Sequence, residues 1–534
     1  MGFLSVEPYA AIEGNKSVNR LYVSPGPHWV YNWAMGISIY KDSMLRRLLK
    51  LENRELNETI YDKEFAELVQ LEANFSTLAD YRNLALDNDN MSKSRNLTDL
   101  VKMIPEIDWI KILKALARHG TSEEDEEKLL ERVTVHGAGE YFFGENRELA
   151  RIATETPKSA LANYLVVRQL IDVALYFYDK DQPRQNKFYN HVDQQSFCAT
   201  QVASFFPMPS MNVFIESSQF KIENLKVIEE MFVKIKAEYE QIFTENEYLE
   251  LEIREFLIRK LNAIDGKFGL DQYTEGKPLL EKMYETVSFR GHRPEKPASF
   301  TAQLPGHGLP VAGVHENVAT LVRTARRAHC TRHPAGPDIN LPYLTYPWMD
   351  ADFPANTNYG YLGYVIGHEI GHAFDHFHRK LDESGRQQQY WFTETNSSNT
   401  EYELREKCLR DQYSAYKEPG YDFFMNGTHC RYEIAGDHMG IRTAFRVFEK
   451  VKKEDRFRLP GLEMSEEQLF FYNYAFRQCD VYNPNKLPRN MLARQHPTNR
   501  YRVNGVIQNI PEFAEAFNCP KNSPMNPEMK CKLY

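Results

Sequence analysis

The sequence predicts a mainly α fold built around one buried helix that carries metal-binding chemistry, and three observations predict it. Apolar residues recur at three- and four-residue steps in segments 62–72, 161–174 and 222–261. Segment 358–375 has no proline and sets Leu362, Val365, Ile366, Ile370 and Phe374 at the same steps, the pattern of a largely buried helix. Segment 433–450 carries a third stripe, formed by Ile434, Ile441, Ala444, Phe445 and Phe448.

Segment 222–261 does not sustain strict heptads, so it reads as a packed domain helix rather than a coiled coil. The composition shifts at 286–310, where Pro294, Pro297, Pro305 and Pro310 stand among Gly291, Gly306 and Gly308. The expected organisation is therefore a helical domain over 1–285, a linker over 286–310 and a second domain over 311–534. His329, Cys330 and His333 lie in a basic stretch that reads as a solvated loop rather than a ligand set.

The central helix holds His368-Glu369-Ile370-Gly371-His372. Residues four apart on a helix stand one turn above each other, so both imidazoles reach one ion, and Glu369 beside them is placed to take a proton from water. Gly363, Gly367 and Gly371 each weaken the helix by about 1 kcal/mol relative to Ala, a cost tolerated where another backbone or a ligand must pass close. A catalytic zinc typically has three protein ligands and one open position. Glu433 is the candidate third ligand, with Asp437 one turn later on the same face. Asp375, three residues after His372, is placed to accept the free ring N–H of a ligating histidine.

Four blocks of the sequence together resemble the neprilysin and endothelin-converting-enzyme family of zinc metallopeptidases. They are 365–375, Glu433 with Asp437, the run from Cys479 through His496 and Arg502 to Gly505, and 509–519 followed by Met525, Asn526, Pro527 and Cys531. The resemblance implies a thermolysin-like (gluzincin) catalytic domain plus a large helical cap enclosing a chamber that admits peptides and excludes folded proteins. It implies one zinc ion per chain held by His368, His372 and Glu433, with Glu369 as general base and Asp375 and Asp437 behind the ligands. His496 matches the histidine that stabilises the oxyanion, and Arg502 the arginine that holds substrate. Cys408 and Cys531 are expected to bond, and the family partners of Cys479 and Cys519 lie upstream of Met1.

The chain also departs from that family. No Asn-Ala pair stands some forty residues before the central helix, and Asn317-Val318-Ala319 only approximates one. Gly371 and His376 replace a threonine and an acid common in relatives. The opening Met1-Gly2-Phe3-Leu4-Ser5-Val6 has neither a charged n-region nor an apolar run, and no stretch reaches 18 apolar residues, so the chain is expected to be an N-terminally shortened form.

A net charge of −9 suggests no nucleic-acid surface, so the expected partners are peptide substrates. Seven cysteines are too few for a disulfide scaffold, and Cys198, Cys330, Cys430, Cys479 and Cys519 have no assigned partner. Asn15, Asn57, Asn74, Asn90, Asn96, Asn396 and Asn426 begin glycosylation sequons, which with the resemblance points to an extracellular or plasma-membrane ectodomain. The expected activity is cleavage of oligopeptides on the amino side of hydrophobic residues. Two other readings stay open: a catalytically impaired zinc-containing peptide-binding protein, and a truncated isoform without function.

Overall fold

The computed structural model describes residues 4–13, 16–25, 57–76, 95–111, 134–135, 140–174, 202, 206, 209–210, 213, 220–268, 329–330, 336–339, 341–383, 396–451, 459–480 and 496–534. They belong to two compact units, Met1–Phe197 with Gly306–Gly313 and Cys198–Pro305 with Val314–Tyr534. The linker expected at 286–310, Asn317-Val318-Ala319, His333 and Cys198 lie outside the described residues.

In the first unit, β1 (Leu4–Glu13) and β2 (Lys16–Pro25) form an antiparallel hairpin. The two-residue strands β3 (Arg95–Asn96) and β4 (Thr134–Val135) extend it to the order β1-β2-β4-β3. Its helices are α1 (Glu58–Ser76), α2 (Leu97–Met103), α3 (Glu140–Glu155) and α4 (Lys158–Ala174). Leu68, Leu71, Ile152 and Tyr164 make a small core between α1, α3 and α4, consistent with the spacing of apolar residues.

The second unit holds the functional residues. Its first helices, α5 (Glu223–Glu245) and α6 (Leu251–Ala263), fall within the expected 1–285 span. Ile228, Met231, Ile235, Tyr239 and Phe243 of α5 are buried in one core with Val365, Ile366 and Ile370 of the central helix. Burying each such side chain contributes about 1.5–3 kcal/mol. Strands β5 (Lys267–Phe268), β6 (His329–Cys330) and β7 (Pro337–Ile339) form a small sheet in the order β5-β7-β6. His329 and Cys330, read as part of a basic loop, thus pair as β6, antiparallel to β7.

The central helix enters through one π-helical turn, Tyr359–Gly363, continues as α7 (Tyr364–Gly371), and tightens into a 3₁₀ turn, His372–Phe374. Leu362, Val365, Ile366, Ile370 and Phe374 are all buried, as their spacing predicts. Helices α8 (Ser397–Ser414), α9 (Arg431–Glu449), α10 (Glu466–Arg477), α11 (Asn499–Ile507) and α12 (Pro511–Ala516) follow among the described residues. Asn396 caps α8 by accepting from Asn399 N, and Ser465 with Gln468 forms a capping box on α10. Cys408 on α8 is bonded to Cys531, as the resemblance implied. Cys430, Cys479 and Cys519 are unbonded.

Candidate metal centre

Helices α7 and α9 meet backbone to backbone. A Cβ added at Gly440 would lie 2.6 Å from His368 N and 2.8 Å from Tyr364 O, and one at Gly436 would lie 2.9 Å from His368 Nδ1. Only glycine fits there, and the close crossing brings the first turn of α9 beside the histidine pair. Tyr239 of α5 fixes the same stretch by donating to Gly367 O at 2.6 Å.

Three ligating atoms converge as a result. His368 Nε2 and His372 Nε2 are 3.0 Å apart, and Glu433 Oε2 lies 3.3 Å from the first and 3.7 Å from the second. Tetrahedral zinc with bonds of about 2.0–2.1 Å sets its ligand atoms about 3.3 Å apart, so this triangle has the dimensions of one face of a zinc site. His496 Nε2 approaches the same oxygen at 2.8 Å. No hydrogen bond of good geometry reaches the buried Glu433 Oε2 despite those three imidazoles. A buried carboxylate oxygen without a proton donor, facing two imidazole nitrogens, fits a divalent cation, and the two-histidine, one-glutamate donor set suits zinc.

Behind the ligands, His368 Nδ1 lies 2.8 Å from Asp437 Oδ1. Arg502 grips Asp437 with both arms of its fork, Nε to Oδ2 at 2.8 Å and Nη2 to Oδ1 at 2.5 Å. Asp375 is differently placed from the expectation. Its Oδ2 is 3.7 Å from His372 Nδ1, too long for a hydrogen bond, and 2.8 Å from His378 Nδ1. Its Oδ1 accepts from the backbone N–H groups of Phe377 and His378 at 3.0 and 2.8 Å, so it organises the turn after the helix. Glu369 is buried on α7 next to His368, and its carboxylate accepts no hydrogen bond from any described residue.

Burial and charge oppose each other throughout this pocket. Burial disfavours a charged His372, but the carboxylates of Glu433, Asp375 and Glu369 outweigh it and raise its pKa to about 10. Burial works against ionised Glu433 too, yet the neighbouring imidazoles, His496 first, hold it well below the usual carboxylate range. Burial resists ionised Asp437, and the Arg502 guanidinium overcomes it. The raised pKa favours the protonated form of His372. Loading a metal must displace that proton, because a ligating imidazole is neutral.

Sequence models of peptidase family M13 match residues 338–533 and, for its N-terminal part, 13–271. The chain belongs to peptidase family M13. Curated relatives include Neprilysin-11 of Caenorhabditis elegans, 23% identical over 92% of this chain and 58% of the relative. Endothelin-converting enzyme 1 of Mus musculus is 25% identical over 82% of the chain and 56% of its own length. Neprilysin-1 of Caenorhabditis elegans is 38% identical over 36% of the chain. The chain thus spans less than two thirds of the length of these relatives. Among solved structures, the Mycobacterium tuberculosis zinc metalloprotease ZMP1 in complex with inhibitor aligns over 99% of this chain and 80% of its own, with a TM-score of 0.70 at 17% identity. PEPO from Lactobacillus rhamnosis HN001 gives 0.67 at 17% identity, over 98% of this chain and 80% of its own. These likenesses establish a shared, mainly helical fold.

His368, His372, Glu433, Asp437, His496 and Arg502 come together in one pocket; Asp375 borders it. Glu433 and Asp437, which alone would read as a solvated acidic face, are buried. Sequence reasoning missed Tyr364, one turn before His368, whose hydroxyl donates to Asp437 Oδ1. Its four-residue offset from His368 was the available signal. Lys260 of α6 was also missed; it is buried and bonds the carbonyl oxygens of Ala373, at 2.7 Å, and His378. A second grouping, His376 with Glu403 and Glu406, is met by guanidinium groups instead: Arg379 pairs with Glu403 at 2.7 Å and Arg410 with Glu406 at 2.6 Å.

Proposed function

We propose that this chain is a zinc-dependent endopeptidase that hydrolyses oligopeptides, cutting on the amino side of hydrophobic residues, with one zinc ion held by His368, His372 and Glu433. The observation that carries this reading is the 3.0, 3.3 and 3.7 Å triangle of His368, His372 and Glu433 atoms beside the free carboxylate of Glu369. When bound, zinc supplies a Lewis acid that brings the pKa of water to about 7 and polarises a carbonyl.

The chain's own residues do the rest. Glu369 takes the proton of the attacking water and delivers it to the leaving amine. His496, half-exposed at the edge of the pocket, donates to the negative charge that develops on the scissile carbonyl oxygen. Asp437 Oδ1, 2.8 Å from His368 Nδ1, favours the tautomer of that imidazole that leaves Nε2 free to ligate. Arg502, anchored on Asp437, holds a substrate carbonyl.

The test is hydrolysis of a mixed peptide library by the purified chain, with and without a chelator, beside Glu369→Gln. Expected are cleavage before hydrophobic residues, loss with the chelator, and a fall of at least about a hundredfold in E369Q with zinc content kept. Zinc retention without cleavage of any peptide would make the chain a peptide-binding protein instead. The reading also includes an extracellular location. No described helix is long and apolar enough to cross a membrane. The Cys408–Cys531 bond supports an oxidising compartment, and a mobility shift of the expressed chain on glycosidase treatment tests it.

A further inference from the structure

We propose that Tyr364 is a positioning residue of the metal centre, its hydroxyl locking Asp437 and Arg502 into the arrangement that orients His368. The inference rests on the zinc reading above and adds to it a residue outside the ligand set. Tyr364 stands one turn before His368 on α7 and is almost wholly buried, with its ring 5.8 Å from the imidazole.

A phenol offers one donor and two acceptor sites, and all three are used here. The hydroxyl donates to Asp437 Oδ1 and accepts from Arg502 Nη2 at 3.0 Å and Gln478 Nε2 at 3.2 Å. Burial raises the phenol pKa, so the group keeps its proton and stays a donor. Asp437 Oδ1 thereby accepts from both Tyr364 and Arg502 Nη2 and lies 2.8 Å from His368 Nδ1. Rotation of the carboxylate away from His368 breaks the bond from Tyr364, and a swing of Arg502 breaks its two bonds to Asp437 and its one to Tyr364. Arg502 Nη1 takes part in none of these bonds.

The ring itself is immobilised. Tyr474 packs edge-on with centroids 4.7 Å apart, and the Arg477 guanidinium lies 5.5 Å from the ring centre on α10. The phenol is therefore a fixed post rather than an adaptable filler, and its attachment to α7 ties the reference point to the ligand it orients. A core tyrosine selected for packing alone needs only one partner for its hydroxyl. Three partners, two of them charged and one of those 2.8 Å from a ring nitrogen of a candidate ligand, assign it to the site.

The experiment is a chelator-competition titration of zinc affinity, which needs no turnover, on wild type, Tyr364→Phe, Asp437→Asn and the double variant. Y364F is expected to raise the zinc Kd about tenfold, the low end for a residue supporting a ligand. In the D437N background the same change is expected to shift Kd less than about twofold, because the phenol acts through that carboxylate. A wild-type Kd in Y364F, or the same tenfold rise in both backgrounds, overturns the proposal. A wild type that takes up no zinc overturns the metal centre itself, a separate outcome. Should Y364F fail to fold, Tyr364→Met, whose flexible side chain refills the space, is read by the same criteria.

Discussion

Gly440→Ala isolates the feature on which the metal centre depends, the contact of two helix backbones. Intrinsic propensity favours the change: alanine is better than glycine inside a helix by about 1 kcal/mol. The packing opposes it. The new Cβ would meet His368 N at 2.6 Å, Tyr364 O at 2.8 Å and His368 Cα at 2.9 Å, all backbone atoms that cannot rotate aside. Ordinary contact begins at 3.4 Å, so α9 and α7 must separate by about 0.8 Å. Overpacking of this kind costs about 1–3 kcal/mol, so after the propensity gain the net change is a destabilisation of about 0–2 kcal/mol.

The larger effect falls on the metal. Glu433 rides on α9 and both histidines on the opposite segment, so the separation opens the 3.3 and 3.7 Å edges of the triangle while leaving the 3.0 Å edge intact. Metal sites tolerate ligand displacements of about 0.2 Å, so zinc affinity is expected to fall by well over tenfold. The assay pairs chelator competition with thermal unfolding in excess chelator, which separates metal binding from packing. G440A that is more stable than wild type and binds zinc as tightly would refute the reasoning, since it would show that the helices do not touch as described.

Three other outcomes are expected. Replacing both Cys408 and Cys531 by Ala removes a crosslink between residues 123 apart, which costs up to about 5 kcal/mol on the chain-entropy estimate; an unchanged denaturation midpoint for the second unit would contradict it. His438, buried beside Tyr413, has its pKa lowered to about 4 because desolvation outweighs the attraction of Asp437. Its folded value lies below its unfolded value of about 6.5, so its contribution is complete above pH 6.5 and is lost as pH falls through 4. His438→Gln should therefore lose about 3 kcal/mol less than wild type over that window, measured as unfolding free energy against pH. Lys260→Met deletes a buried cation that bonds the carbonyls of Ala373 and His378, and should cost about 2–4 kcal/mol in denaturant midpoint; a neutral result would mean those carbonyls find water.

What the sequence made legible, and what it hid, divides along the range of the interactions. The spacing of Leu362, Val365, Ile366 and Ile370 revealed the central helix because a helix repeats locally, and the same holds for Ile434, Ile441 and Phe445 on α9. The histidine pair was readable because both members share one turn. The hairpin of β1 and β2 was not expected, since Pro8 and scattered polar residues blur the two-residue alternation. The π turn at Tyr359–Gly363 shifts hydrogen-bond register without changing composition, so no residue type announces it. Lys260 looks like the solvated face of an amphipathic helix until carbonyls from the turn after α7 close over it. Tyr364 is the sharpest case. At its position in the apolar stripe a tyrosine counts as one more core residue, and its hydroxyl gains meaning only when α9, α10 and α11 deliver Asp437, Gln478 and Arg502 to the same point. The ligands could be read from one helix and a family pattern, whereas the groups that hold them in place come from segments that converge only in the folded chain. A search for this kind of site should therefore ask of each aromatic residue one turn from a ligand whether its polar atom can be buried without a partner. Where it cannot, the partner is part of the site.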